Sequence, residues 1–310
     1  MDVYPNDGIG NFELKQFTTL KIGGEAEVAY SPMSVGEMID CIEYHHKRGE
    51  EINVVGAGSN LLISSAGVDG GVVLTHKLRD VLHIDDNRIY ALCGAKASAF
   101  AKVAYEAGLT GAEFMIGIPG SVGGALYMNA GAHGESLKPI LESVKILNMH
   151  SYIVTEVPVK YLDFRYRNST FMRDGNMVLS AIFKLPNGDK EKIKDRMDFH
   201  VNYRAKNHPP LSEFSAGSTF RNPKGLYAAN LLESVGAKEY IENDRVKFSS
   251  KHANFLFNFN DATSTDVVRL MHNMWKRVKD KHGVKLHPEI RFIGRKTKEE
   301  EKLWKAMLRR

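Results

Sequence analysis

The chain has 310 residues, 43% hydrophobic and 25% charged, an ordinary balance for a soluble globular protein and one that argues against disorder or low complexity. Its 42 basic and 37 acidic residues leave a net charge of +5, with no lysine- or arginine-rich block of the kind that binds nucleic acid. No apolar run reaches membrane-spanning length, and the start MDVYPNDGIGNFELK carries neither a basic region nor an apolar core, so a cytoplasmic protein is expected, monomeric or a weak homo-oligomer. Two cysteines, Cys41 and Cys93, are too few for a disulfide framework and lack zinc-ligand spacing, so no metal is expected. This length is long for one core and predicts two or three domains.

Taken in chain order, Ser34–Gly49 reads as a helix. Ser34 and Glu37 form a capping-box pattern, Val35, Met38, Ile39 and Ile42 share a face, and Gly49 ends it. The strand-like INVV at 52–55 leads into a turn, GAGSN, and then LLI at 61–63. VVL at 72–74, VLHI at 81–84 and IYAL at 89–92 continue as short strands between turn residues. A helix over 98–107 buries Phe100, Val103 and Ala104 and stops at Gly108. Further on, SVKILNM, YIVTEV and MVLSAIFKL read as longer strands, and 190–203 as a charged helix. Beyond Arg204 comes a turn-rich loop, KNHPPLSEFSAGSTFRNP, then a helix over 226–235 and strand material in SSKHANFLFNF. An amphipathic helix over 265–281 offers Val268, Leu270, Met271, Met274, Trp275 and Val278 to a core. In the charged tail from Thr297, Leu303, Trp304, Met307 and Leu308 share one face and predict docking on the parent domain or a partner subunit.

Between Gly117 and Gly134 runs GIPGSVGGALYMNAGAHG, with six glycines and no lysine, arginine or aspartate. Glycine loses the most backbone entropy on folding, so so many together disfavour a packed helix. They suit a backbone that approaches a ligand closely and presents its N–H groups to an anion such as a pyrophosphate. GAGSN at 56–60 is a second such turn. It is not the dinucleotide fingerprint GxGxxG, because Leu61 stands at the third glycine position and strand rather than helix follows. Two glycine turns, each after strand-like material, predict a clamp on one extended dinucleotide through backbone N–H groups, with Ser59, Asn60 and Ser121 adding side-chain donors. Alone, Ser59 and Asn60 would read as ordinary turn residues.

GAGSNLL, the glycine-rich segment, YRNSTF, SAGSTFRNP, SSKHANFLFN and LHPEIRFIG occur in one order over residues 8–294. In this the chain resembles the UDP-N-acetylenolpyruvoylglucosamine reductase (MurB) family, in its shorter, type II form. The resemblance implies an α+β fold with two FAD-binding subdomains of the vanillyl-alcohol-oxidase type, over 1–76 and 77–203. A C-terminal α+β substrate domain over 204–296 and a charged C-terminal helix or tail over 297–310 would complete it. It also implies non-covalent FAD, consistent with the absence of histidine or cysteine within GAGSN. The cofactor would be held by Gly56, Ala57, Gly58, Ser59, Asn60 and Leu61 in the first turn. The second turn would contribute Gly117, Ile118, Pro119, Gly120, Ser121, Gly123, Gly124, Ala125, Asn129 and Gly131, and Arg204 would join from the basic stretch.

The reaction implied is reduction of the enolpyruvyl ether of a UDP-amino sugar, with NADPH as electron source. A hydride goes to the vinyl carbon, negative charge develops toward the substrate carboxylate, and a proton then reaches the carbon bearing the ether oxygen. Arg167 would serve the carboxylate, because a guanidinium stays charged and forks onto two oxygens. Glu289 would polarise the enol or relay protons, and Ser218 would donate the proton, which a weakly acidic hydroxyl does only to a strongly basic carbon. Tyr166, Asn222 and His252 are the expected substrate contacts. Without the resemblance these residues would read as a surface ion pair, a solvated carboxylate, turn residues and a packing histidine. A flavin oxidase on another substrate is the rival enzyme, and SAGSTFRNP with LHPEIRFIG argues against it. A nucleotide-sugar-binding module without turnover would be colourless.

Overall fold

The computed structural model describes residues 4–309. Near the N-terminus a four-stranded sheet runs in the order Ile9–Glu13, Glu25–Tyr30, Val68–Leu74, Ile52–Val55. Its first pair is antiparallel and the other two pairs are parallel. The two strands nearest the N-terminus carry no clear sequence signal: IGNFE is an exposed edge, and EAEVAY alternates glutamate with alanine rather than with bulky apolar residues. Helix α1 (Val35–Lys47) lies on this sheet and buries Met38, Cys41, Ile42 and His45, with Val35 and Ile39 at the margin. Ser34 caps it by accepting the Glu37 N–H, but the Glu37 carboxylate takes the Met33 N–H instead of that of Ser34, so the expected box closes one residue early.

A second, five-stranded sheet is antiparallel throughout, in the order Val154–Pro158, Leu141–Asn148, Asn176–Lys184, Arg88–Leu92, Val81–Asp85. Around it are α2 (Ala97–Glu106), α3 (Val122–Tyr127), α4 (Thr170–Asp174) and α5 (Lys190–Asn207). Helix α3 corrects the expectation that the glycine-rich segment is not a packed helix. Ser121 caps it, and the Val122 and Gly123 N–H groups donate to Ala95 and Cys93, so tertiary bonds offset the entropy of its glycines. Side chains of α1, α2, α3 and this sheet form one continuous apolar core.

The third sheet follows the order Phe214–Ser218, Phe255–Asn258, Val246–Phe248, Ile241–Glu242. It packs with α6 (Ala228–Glu233), α7 (Ser264–His282) and α8 (Lys298–Leu308) around a separate core. The stretch expected to be a single loop thus contains a strand at 214–218, hidden because FSAGS lacks β-branched residues. Helix α6 is shorter than its sequence pattern, and all six proposed core positions of α7 are buried. The tail docks on its own domain: Trp304 and Met307 are buried, and the Trp304 ring meets Phe292 edge-on at 5.3 Å, although Leu308 stays exposed. Strand Arg291–Ile293 leaves this domain to pair in parallel with Leu61–Ile63. That pairing brings the C-terminal LHPEIRFIG segment against the GAGSN turn.

Candidate active site

The GAGSN turn joins strands Ile52–Val55 and Leu61–Ile63. Gly58 sits at φ +64°, and a Cβ there would stand 2.0 Å from the Phe17 carbonyl oxygen, so only glycine fits. Backbone N–H groups of Gly56, Ala57, Gly58, Ser59 and Asn60 donate to no acceptor among the described residues. The second turn touches the first, since a Cβ on Gly56 would lie 2.6 Å from Ser121 Oγ and one on Gly120 would lie 3.5 Å from Ser59 Oγ. Gly120 and Ser121 likewise keep their N–H groups free of acceptors among the described residues, whereas those of Val122, Gly123 and Gly124 donate to Ala95, Cys93 and Ser121. The open amides are therefore concentrated at 56–60 and 120–121, narrower than the clamp expected from the sequence.

The remaining residues of the two turns divide by what faces them. A Cβ on Gly123 would strike Cys93 at 2.7 Å and one on Gly131 the Glu135 carbonyl at 2.3 Å, so close packing accounts for both glycines. Space is open at Gly117, whose nearest neighbour would be the His200 carbonyl at 3.6 Å. Gly124 would meet only Ser121 Oγ, at 3.2 Å. Ala125 is buried in α3, Leu61 begins its strand, and Ile118 and Pro119 lead into the second turn half-buried. Asn129 donates to the Arg165 carbonyl and Asn60 to the Glu289 carbonyl, so both amide side chains are pinned by protein.

Beside the touching turns is a small cavity lined by Ser59, Pro119, Arg204, Glu213, Ser215, Gly217 and Phe255, among others. Glu213 Oε2, Ser215 Oγ and the neighbouring His208 Nδ1 are buried without a hydrogen-bond partner among the described residues. The Arg204 guanidinium has no partner among the described residues, and burial pulls its pKa below the usual value. Orphaned polar atoms at this density ask for a ligand. An anionic dinucleotide fits, with its phosphates on the seven open amides and polar edges for the cavity.

Three sequence-predicted residues, Arg167, Ser218 and Glu289, come close to the first turn. Arg167 occupies the turn between strands Phe164–Arg165 and Asn168–Ser169, at φ +52°. Its Nε donates to Glu289 Oε1 at 2.5 Å, and its guanidinium lies over the Tyr166 ring at 5.2 Å. Glu289 is 7% exposed, and burial pushes its pKa up against the opposing pull of Arg167 and Arg221. The Glu289 N–H donates to the Thr219 carbonyl, which places Glu289 across from the residue following Ser218. Ser218 ends its strand with a hydroxyl unpaired among the described residues, and a Cβ on the adjacent Gly217 would come 3.8 Å from the Ser59 carbonyl.

The expected substrate contacts are more dispersed. Tyr166 is 54% exposed, and its hydroxyl accepts the Asn222 N–H at 3.4 Å. Asn222 Oδ1 accepts the Ala228 N–H at the start of α6. His252 stands in a turn rather than in a strand, accepts the Asn254 N–H through Nδ1, and packs on His208 and Phe255. Thr219 and Arg221, to which the sequence motifs assign no role, also have their Oγ1 and Nε buried without partners among the described residues. Their alternation within STFR was the available signal.

Residues 26–155 match the FAD binding domain family and residues 209–293 the C-terminal domain of UDP-N-acetylenolpyruvoylglucosamine reductase. The chain is 40% identical to the UDP-N-acetylenolpyruvoylglucosamine reductase of Caldanaerobacter subterraneus, over 92% of this chain and 93% of that protein. It is 34% identical to that of Limosilactobacillus reuteri, over 95% and 98%. Its fold matches the crystal structure of the reductase (MurB) from Thermus caldophilus with a TM-score of 0.76 and 30% identity, covering 93% of this chain and 98% of the other. With an FAD-binding domain, the matching C-terminal domain and relatives aligned over nearly their whole length, the chain belongs to the UDP-N-acetylenolpyruvoylglucosamine reductase family.

Proposed function

We propose that this protein is an NADPH-dependent flavoenzyme that reduces UDP-N-acetylglucosamine enolpyruvate to UDP-N-acetylmuramate in the synthesis of peptidoglycan precursors. The observation that carries the reading is the contact between Arg167 and Glu289, whose carbonyl accepts from the Asn60 side chain of the first glycine turn and whose N–H donates to the carbonyl of the residue after Ser218. FAD would be held by the open amides of the two turns and by Arg204, and would supply the hydride chemistry that links NADPH to the vinyl carbon. In this reading residues 1–76 and 77–203 hold the cofactor and 204–296 the UDP-sugar.

Each polar group then has a task set by its surroundings. Arg167 keeps Nη groups available while Nε holds Glu289, so it orients that carboxylate and adds positive charge where the substrate becomes anionic. Glu289, with its pKa raised by burial, holds a proton at a higher pH than a solvated glutamate and serves the enol side of the substrate. Ser218, whose hydroxyl has no partner among the described residues, delivers the proton to carbon. Arg204 and the open amides take the negative charge of the cofactor, and Tyr166 and Asn222 take the sugar side. The purified protein is expected to be yellow and to bleach with NADPH in the absence of oxygen. Colour should return on adding the enolpyruvyl UDP-sugar, with UDP-N-acetylmuramate as product. Bleaching that only oxygen reverses would overturn the reading.

A further inference from the structure

The segment SAGSTFRNP runs antiparallel to LHPEI. Phe220 pairs with Pro288, the Glu289 N–H donates to the Thr219 carbonyl at 2.8 Å, and the Arg221 N–H donates to the His287 carbonyl at 2.9 Å. Phe220 and Ile290 point into the core of the third domain. Alternation therefore sets Thr219, Arg221 and Glu289 on the opposite face, together.

Arg221 is uncommitted on that face. Its Nε is buried with no acceptor, and its guanidinium forms no ion pair or hydrogen bond among the described residues. Thr219 Oγ1 beside it is also orphaned. Arg167, by contrast, already spends Nε on Glu289. Two guanidinium groups against one carboxylate leave this face with at least one positive charge in excess. A guanidinium nitrogen buried without an acceptor is costly, and the half-buried charge that carries it calls for an anion. The planar group that matches its fork is a carboxylate.

We propose that Arg221, rather than Arg167 alone, anchors the carboxylate of the ligand, and that Arg167 acts chiefly by positioning Glu289. The inference rests on the reading of the substrate as an enolpyruvyl UDP-sugar. It divides the work between the two arginines by which of them the protein leaves free.

The test is equilibrium binding to the FAD-loaded oxidised protein, followed by the change in flavin absorbance. The ligands are the enolpyruvyl UDP-sugar and UDP-N-acetylglucosamine, which lacks the carboxylate. Arg221→Met should weaken the first about ten- to a hundredfold, the loss of a charge-assisted hydrogen bond, and leave the second unchanged. Arg221→Lys, which keeps charge without the fork, should fall between wild type and Arg221→Met. Equal weakening of both ligands would place Arg221 on the diphosphate or sugar and overturn the proposal, as would no weakening of either. Failure of the wild-type protein to bind either ligand would overturn the substrate reading itself, and the proposal with it.

Discussion

Glu289 is held between opposing influences: burial raises its pKa, while Arg167 at 2.5 Å and Arg221 lower it. No motif shows that balance, because the contact joins residues 122 positions apart. The family resemblance points to Arg167, Ser218 and Glu289 one at a time, each within a separate motif. Folding adds that Arg167 sits at a positive φ in a hairpin turn and that the Ser218 hydroxyl has no partner among the described residues. With Ser218 assigned to protonation alone, Ser218→Ala should leave flavin reduction by NADPH nearly intact while turnover falls by about two to four orders of magnitude. Stopped-flow measurement of the two half-reactions decides this. Collapse of flavin reduction along with turnover would make Ser218 a positioning residue and leave Glu289 as the source of the proton. At the second turn, Gly120→Asp finds room for its Cβ 3.5 Å from Ser59 Oγ and places a negative charge between the open amides. It should fold with wild-type circular dichroism and purify without FAD, and a fully loaded variant would contradict the assignment of this turn.

Elements differ in how much of themselves they display. Helix α7 was legible because its apolar residues repeat at helical spacing, and the structure adds a complete capping box between Thr263 and Asp266. Helix α3 was illegible because its stability comes from bonds to residues 93–95 that no window along the chain contains. Strand 214–218 was hidden for the same reason, being held by its partner at 255–258. Helix α5 hides a further property. Past its end, His208 stacks on Phe255 at 5.1 Å between ring centroids, and its pKa falls from 6.5 to about 4 through burial, with the Arg204, His252 and Lys251 charges adding to the effect. A histidine with a depressed native pKa contributes its full stability above the unfolded value, and the contribution is lost as pH falls, because the unfolded chain takes up the proton first. The window runs from pH 6.5 down to about 4. His208→Gln should therefore flatten the fall in urea midpoint across that range relative to wild type. Parallel curves for the two proteins would show that His208 is not titrating there.

The molecule as a whole is held together by the return of its C-terminal segment. Strand Arg291–Ile293 pairs with Leu61–Ile63, and the Arg291 N–H donates to the Asn60 carbonyl, so the segment bearing Glu289 is bonded directly to the first glycine turn. The tail helix α8 supports this arrangement from behind. Trp304 packs on Phe292 within the returning strand, and the fully buried Glu300 carboxylate accepts from Ser264 and Thr265 at the start of α7 while closing the α8 capping box with Thr297. The sequence showed an amphipathic tail without its destination, since the apolar face of α8 is complementary to surfaces formed by residues scattered over the third domain. Trp304→Ala should cost about 3 kcal/mol, within the usual range for deleting a buried aromatic side chain. The same loosening should reach the cofactor through Phe292, Arg291 and Asn60. The variant is thus expected to melt earlier and also to lose FAD faster on dilution, read as the rate of flavin fluorescence recovery. Lower stability with an unchanged rate of FAD loss would separate the tail from the site and leave α8 as support for the third domain alone.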